Sequence, residues 1–446
     1  MKRKIFRRFF KKFDNCSQIM YNIAMERFTI AIIGGGASGL MLATALSSQQ
    51  NIALLERGER LGRKLSSTGN GQGNVTNAHA KEEMYFSSCV GGDDFAREKI
   101  CRYDEESFAQ FLGSKGLLLI TDERGRVYPA GRQASAVTDA LRFDVAQKGV
   151  KVFLNTNITR IQTAEKTTQG FILKAETPDG AQEFYAENVV LCAGGKAAKN
   201  FGTDGTAYAL AEKFGHTITS LYPSLVQLKT DTTHTKTLKG IRVNDGVLTA
   251  FVNKNLDTKE KGAQGRLTIK GDIIFTDYGI SGDAVFRISA FIADEIAQGK
   301  VDLSIDFLPD FDESAVYNAL LAKQKAFPSL AVGELLCGMV NNQIGRAILK
   351  RANGDLKKAA VYVKNFPLTA TGSLGFDYAQ VTKGGIRLDE VDENLQSRFV
   401  KGLYFAGEIL DVDGQCGGFN LQWAYSSAMT VAAALNGDEK ACKKIK

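Results

Sequence analysis

Residues 28–33 form a short β-branched and apolar run that stops at Gly34-Gly35-Gly36-Ala37-Ser38-Gly39 and passes directly into a helical stretch ending near Ser48. Residues 51–56 then read as a second buried strand, closed by Glu56 seventeen positions after Gly39. Strand, glycine turn, helix and strand in this order make a βαβ unit, and no other feature of the chain restricts its fold as strongly. Two parallel strands need a crossover helix, and helices on the faces require a buried parallel sheet. Within Gly34-x-Gly36-x-x-Gly39 the first glycine permits the tight turn, the second lets the backbone approach a pyrophosphate, and the third packs helix against strand. The helix start, with Ser38 in its first turn, offers amide donors and a partial positive charge to phosphates. Glu56 is placed to bind a ribose diol, which favours an adenosine without a 2′-phosphate. Gly34, Gly36, Ser38, Gly39 and Glu56 together predict a dinucleotide site.

Residues 58–77 are rich in Gly, Ser, Thr and Asn, which suits a ligand-wrapping loop. Residues 133–148 read as a helix and 150–154 as a strand, and 158–191 alternates around Pro178-Asp179-Gly180 as a small β-meander. Residues 188–193 return as an apolar strand ending in Gly194-Gly195, where a backbone again passes close to something. From 222 to 364 the pattern changes to isolated strands (225–228, 272–275, 302–306) and helices near 282–298, 312–326 and 331–339. A strand over 402–408 and a long helix over 420–435 complete the chain. The expected fold class is α/β. A Rossmann-like domain, a parallel sheet plus a β-meander, comprises residues 25–221 and 365–437 and carries an inserted α+β substrate domain at 222–364.

With 446 residues and 44% hydrophobic content the chain can bury cores for more than one domain. Its formal charge of +7 would suggest an acidic partner, but Lys2, Arg3, Lys4, Arg7, Arg8, Lys11 and Lys12 against Asp14 give residues 1–24 a net +6, which leaves a nearly neutral body. Phe6, Phe9, Phe10 and Phe13 interleave with these bases, a pattern suited to a membrane surface or an RNA backbone. Met25 opens a natural start before the first strand, so residues 1–24 read as a disordered tail or an upstream mis-start, and 438–446 as a basic tail. No apolar stretch reaches the roughly eighteen residues of a membrane span and no secretory signal is present, so a cytoplasmic protein is expected. Seven cysteines without a C-x-x-C pair and three dispersed histidines argue against a disulfide relay, a metal site and a Ser-His-acid triad.

Gly62-Arg63-Lys64 and Ser67-Thr68-Gly69-Asn70-Gly71-Gln72-Gly73-Asn74 follow the acid immediately. Here the chain resembles the flavoproteins that group RdsA, BaiN and the aminoacetone oxidases, in which G-[RK]-K-x-x-x-[ST]-G-x-G-x-x-N-x-[ST]-N follows the ribose acid. The resemblance spans residues 25–437. It includes Gly125-Arg126-Val127-Tyr128-Pro129, Ala193-Gly194-Gly195, Phe275 to Gly282, Gly407-Glu408 with Asp411, Asp413 and Gly414, and Gly417 to Gln422. It implies FAD as cofactor, with Gly407-Glu408 beside the ribityl and phosphate groups and Gly417, Gly418, Phe419, Asn420 and Leu421 along the pyrimidine edge. A helix opening there aims N–H groups at the N1–C2 region, where negative charge collects on reduction. Arg63, Lys64, Gly71 and Asn74 are expected near phosphate or the isoalloxazine edge, while Thr76 and Asn77 hold the loop. Tyr278 and Ser281 are implied to face the flavin and to orient a carbonyl or relay a proton, with a tyrosine packed under a glycine turn equally open.

Two departures stand out. Many relatives carry Arg-Cys-Asn where this chain has Gln72-Gly73-Asn74, and Cys416 stands where they usually carry threonine or an apolar residue. Cys416 is a candidate acid that protonates carbon after hydride transfer. The expected activity is reduction of FAD by NADH or NADPH, followed by hydride transfer from the flavin N5 to an electron-poor C=C or C=N bond. The resemblance implies three acceptor or donor classes: a ribosomal RNA uridine, a steroid enone, and a small amine oxidised with peroxide release. The uridine leads as the housekeeping role in the family, with Lys229, Lys236, Lys239 and Arg242, or Arg346, Lys350 and Arg351, as candidate phosphate contacts. A small-molecule oxidase or enone reductase is the alternative, and a flavin-binding sensor without turnover a third reading. With no second complete G-x-G-x-x-G, the nicotinamide is expected on the face of the flavin that the substrate uses, giving ping-pong order.

Overall fold

The computed structural model describes residues 25–81, 84–164, 170–252 and 265–437; the basic segment 1–24 and the tail 438–446 lie outside the described residues. Five strands run parallel in the order Lys151–Phe153, Ile52–Leu55, Glu26–Ile33, Gly180–Leu191, Leu403–Phe405. Ile30, Ala31, Ile32, Ala53 and Leu54 are wholly buried, as expected for central strands covered on both faces. The long strand Gly180–Leu191 joins the parallel strands and the meander into one seven-stranded sheet: its first half pairs antiparallel with Phe171–Thr177 of the meander, and Val189–Leu191 pair with Leu403–Phe405. The helices Ala37–Ala45 and Phe419–Asn436 pack on each other against this sheet, with Trp423 and Ala428 in the interior.

The second body is a closed antiparallel barrel of six strands, in the order Leu228–Thr230, Gly279–Ser281, Arg266–Phe275, Arg242–Phe251, Val301–Asp306, Phe366–Ser373. Inward and outward residues alternate along Arg266–Phe275, which puts Leu267, Ile269, Ile273 and Phe275 in a core of its own. Closure leaves no unpaired edge to template aggregation. Helix Leu356–Lys364 lies against the barrel strands, with Glu313–Ala326 and Asn342–Arg351 packed on it, and each of the three is capped by a side chain: Asp355, Asp312 and Asn341 respectively.

Three expectations are corrected here. The barrel's last strand, Phe366–Ser373, lies beyond residue 364, so a boundary there cuts the barrel open. The helix expected over 331–339 is only a short 3-10 turn, Val332–Glu334, because Gly338 takes φ +83 and the chain re-forms a helix only after the Asn341 cap. The strand Arg242–Phe251, absent from the sequence reading, is the barrel's partner to both Arg266–Phe275 and Val301–Asp306. Between the two bodies the chain passes through a two-stranded ribbon, Tyr222–Ser224 antiparallel to Val381–Lys383. Among the described residues no helix is long and apolar enough to cross a membrane.

Candidate cofactor and active site

A continuous cavity of about 2070 Å³ runs from Glu56, past the glycine turn, to the gap between the parallel-sheet body and the barrel. Single small-molecule sites are typically about 300–1,000 Å³, so this one has room for a dinucleotide and a second molecule.

At the first end the glycines differ in what surrounds them. A Cβ on Gly34, whose φ is +107, would come 2.5 Å from the Cys192 carbonyl oxygen, and one on Gly39 would overlap the Gly34 carbonyl oxygen. A Cβ on Gly36 meets nothing within 4 Å and would project into the open space that a phosphate needs. Ser38 lines the same space and donates to Ala406 O at 3.3 Å. Glu56 accepts from Gly35 N at 2.7 Å and Gly58 N at 2.6 Å. These bonds fix the carboxylate and use about half of its roughly four acceptor positions, leaving the rest for hydroxyls.

Farther along, Lys64 Nζ pairs with Glu408 Oε2 at 2.8 Å, and Glu408 Oε1 accepts from Thr382 N at 2.9 Å. Thr382 Oγ1 in turn accepts from Lys196 N at 2.7 Å and Ala197 N at 2.9 Å, which braces the Gly194-Gly195 turn. Arg63 donates to Asn200 O at 2.9 Å. Both basic residues therefore tie the loop after Glu56 to distant loops while still lining the cavity. Gly407 donates to Ser427 Oγ and accepts from Trp423 Nε1, so it anchors the long helix and takes no place in the lining.

At the far end Gly417, Gly418, Asn420 and Leu421 line the cavity. Gly418, at φ +103, would collide with Thr76 O if it carried a Cβ, and Gly417 O accepts from Asn77 Nδ2 at 3.0 Å. Thr76 and Asn77 thus hold the Gly417-Gly418 turn, a contact beyond their own loop, and Thr76 also donates to Gln422 Oε1 at 2.5 Å. Asn420 is committed to Gly414, donating to its carbonyl at 2.7 Å and accepting from its N–H at 2.8 Å. The Asn74 side-chain oxygen lines this region, is buried, and has no hydrogen-bond partner within the protein. An unsatisfied buried acceptor is costly, so this atom points to a donor on a bound molecule.

Some assigned positions fall elsewhere. The Phe419 ring turns into the core against Tyr85 at 5.9 Å, Gly71 lies outside the lining, and Gly39 acts only in packing. Tyr278 sits at the hairpin tip between Arg266–Phe275 and Gly279–Ser281, outside the cavity lining, with its carbonyl accepting from Thr230 N. Ser281, at the opposite end of that hairpin, does line the cavity. Cys416 lines it too and packs with Leu225, Phe286, Ala290 and Val381. Burial, and then the Asp283 carboxylate, push its thiol up to about 11, so it carries its proton at neutral pH. Of the basic patches, Lys239 pairs with Asp277 at 2.8 Å and Arg346 with Glu334 at 2.8 Å, while Arg351 stacks over Phe366.

Arg57 and Asp204, paired at 3.0 Å beside Glu56, carry no local motif that marks them in the sequence, and neither do Thr382, Gln415 and Arg124, whereas Arg242, a candidate phosphate contact by sequence, lines this cavity. The open space at Gly36, the spare acceptors of Glu56 and the orphaned Asn74 oxygen lie in one cavity and fit the phosphate, ribose and isoalloxazine portions of FAD.

A family model described as the HI0933-like protein Rossmann domain matches residues 28–434. The chain is 34% identical over 425 residues to a 3-dehydro-bile acid delta(4,6)-reductase from Clostridium scindens, covering 91% of this chain and 98% of that one. It is 27% identical to a ribosomal RNA dihydrouridine synthase from Haemophilus influenzae, over 91% of this chain and 98% of the relative. The Escherichia coli ribosomal RNA dihydrouridine synthase is 28% identical, over 92% and 98%. With the glycine turn, Glu56 and the cavity in place, the chain belongs to the HI0933-like family of Rossmann-fold proteins and is a flavoprotein oxidoreductase.

Proposed function

We propose that the protein is an FAD-dependent reductase that takes reducing equivalents from NADH or NADPH and saturates the C=C bond of a conjugated carbonyl in a small molecule. When bound, FAD supplies the hydride. The observation that carries the reading is Cys416, a protonated thiol in the cavity wall immediately before the Gly417-Gly418 turn. A neutral thiol is suited to give a proton to the α-carbon of an enone while the β-carbon receives hydride: the C=C π bond and the S–H bond break, a C–H bond forms at each carbon, and the thiolate left behind regains its proton from solvent. Leu225 and Phe286 exclude water from that wall, and the Ser281 hydroxyl is available to orient the carbonyl oxygen. The assignments of Gly34, Gly36, Ser38 and Glu56 to the adenosine diphosphate portion, and of Asn74, Gly417, Gly418 and Leu421 to the ring, belong to the same proposal, as do Lys64 and Glu408 near the ribityl chain.

A uridine in ribosomal RNA is the second reading, favoured by the two relatives named for that activity. The uracil C5=C6 bond is conjugated to a carbonyl, so the same groups would serve. The apolar wall at Leu225 and Phe286, and the internal pairing of Lys239 and Arg346, favour the small molecule.

The test is to reduce the purified yellow protein anaerobically with NADH or NADPH, then mix it separately with a steroid 4-en-3-one and with ribosomal RNA from a strain lacking the gene. Flavin reoxidation and a saturated steroid, seen by mass spectrometry, support the first reading. Dihydrouridine formation with no steroid turnover replaces it with the second, and no reoxidation by either defeats both.

A further inference from the structure

The substrate end of the cavity is asymmetric. Its inner wall is apolar, built from Leu225, Phe286 and Cys416. Its outer wall carries arginines from both bodies: Arg124, in the turn before the strand Arg126–Pro129, and Arg242, the first residue of a barrel strand.

Their own partners hold these two guanidinium groups loosely. Arg124 stands 3.8 Å from Asp245 and 3.9 Å from Asp283, and Arg242 is 3.9 Å from Asp272, whereas the Lys64–Glu408 pair closes to 2.8 Å. The two arginine side chains are 50% and 58% exposed, so ion pairs this long contribute little. Each guanidinium carries five N–H donors in a planar fork that matches a carboxylate or a phosphate ester. Asp245, Asp272 and Asp283 keep both forks at the cavity rim, and an incoming anion must compete with them. A free inorganic anion gains nothing else from this site. An anion attached to an apolar body also buries that body against Leu225 and Phe286.

We propose that Arg124 and Arg242 form the binding site for an anionic group, a carboxylate or a phosphate or sulfate ester, carried by an acceptor whose unsaturated apolar body lies against Leu225, Phe286 and Cys416. The placement of the body rests on the reductase reading above; the anion site rests on the two arginines. The three aspartates act as positioning residues that select an amphipathic anion over a small hydrated one.

The experiment titrates the oxidised, FAD-containing protein with cinnamate, with its neutral counterpart cinnamamide, and with inorganic phosphate, following the perturbation of the flavin's visible absorption band. No turnover is needed, so failure of the enone reading leaves this test intact. Cinnamate is expected to bind at least about tenfold more tightly than cinnamamide at low ionic strength, as a charge-assisted contact allows, and more tightly than phosphate. Added salt should shrink the difference. The double variant Arg124→Gln, Arg242→Gln should bring the cinnamate-to-cinnamamide ratio to about one, and Arg124→Lys, Arg242→Lys should restore part of it, with FAD content and melting temperature reporting that both remain folded. Equal affinities in the parent protein, or a ratio that survives the double glutamine substitution in folded protein, would overturn the proposal.

Discussion

Lys64 Nζ lies 2.8 Å from Glu408 Oε2 although 344 positions separate the two residues. The pair joins the loop after Glu56 to the segment before the last helix, and Thr382 N adds a third segment through Glu408 Oε1. Lys64→Met leaves a partly buried carboxylate with one amide partner, at a cost of about 1–3 kcal/mol. Retention of FAD after ultrafiltration should fall about tenfold or more, and Glu408→Gln, which keeps an acceptor for Thr382, should lose less.

Gly36 and Gly39 separate ligand binding from folding within one turn. Gly36→Val places its side chain in open space, so the protein should purify colourless yet melt near the temperature of the parent stripped of FAD. Gly39→Ala drives a methyl into the Gly34 carbonyl and should lower stability by about 1–3 kcal/mol, visible in thermal unfolding even without FAD. Yellow Gly36→Val protein would remove the phosphate from this turn.

Cys416→Ser replaces an acid titrating at about 11 with a far weaker one. Acceptor reduction should slow by roughly 10²-fold, while reduction of the flavin by NAD(P)H proceeds as before, and stopped-flow measurement of the two half-reactions checks both. The parent thiol should resist iodoacetamide near neutral pH, whereas exposed Cys101 should alkylate readily.

Asp413 is buried behind the cavity wall, with Ser224 Oγ donating to one oxygen at 3.1 Å and the other oxygen unpartnered. Burial pushes its carboxyl up to about 7, opposed by Lys383 and assisted by Asp411 and Asp93. Because the folded value lies above the ordinary 3.8, the group's contribution to stability is complete below 3.8 and is lost as pH rises to about 7. Asp413→Asn should flatten stability between about pH 4 and about pH 7, gaining a few kcal/mol relative to the parent at the upper end. Parallel urea-denaturation curves for the two proteins across that range would contradict this.

What the sequence revealed and what it hid follow from the range of the interactions. Gly34, Gly39 and Glu56 act within one βαβ unit, so spacing alone locates them. Arg57–Asp204, Lys64–Glu408 and the Asn77 clamp on Gly417 join segments that only the fold brings together. The barrel was obscured by its own irregularity. Asn244-Asp245-Gly246 carries turn chemistry in the middle of Arg242–Phe251, where the register shifts between Val243 and Gly246 and Asp245 takes φ +49. Tyr278 shares a hairpin with Ser281, and only the pairing of Ile274 with Ser281 shows which end meets the cavity.

The ribbon of Tyr222–Ser224 and Val381–Lys383 sets the barrel's entry and exit side by side. A module whose ends meet can be exchanged like a cartridge, because its host needs only to keep two neighbouring strands in register. The Gly34–Gly39 turn, Glu56 and the Gly417 turn all belong to the host. The barrel's share of the cavity wall, Arg242, Ile274 and Ser281 among it, is therefore free to change while the glycine turn and Glu56 stay as they are.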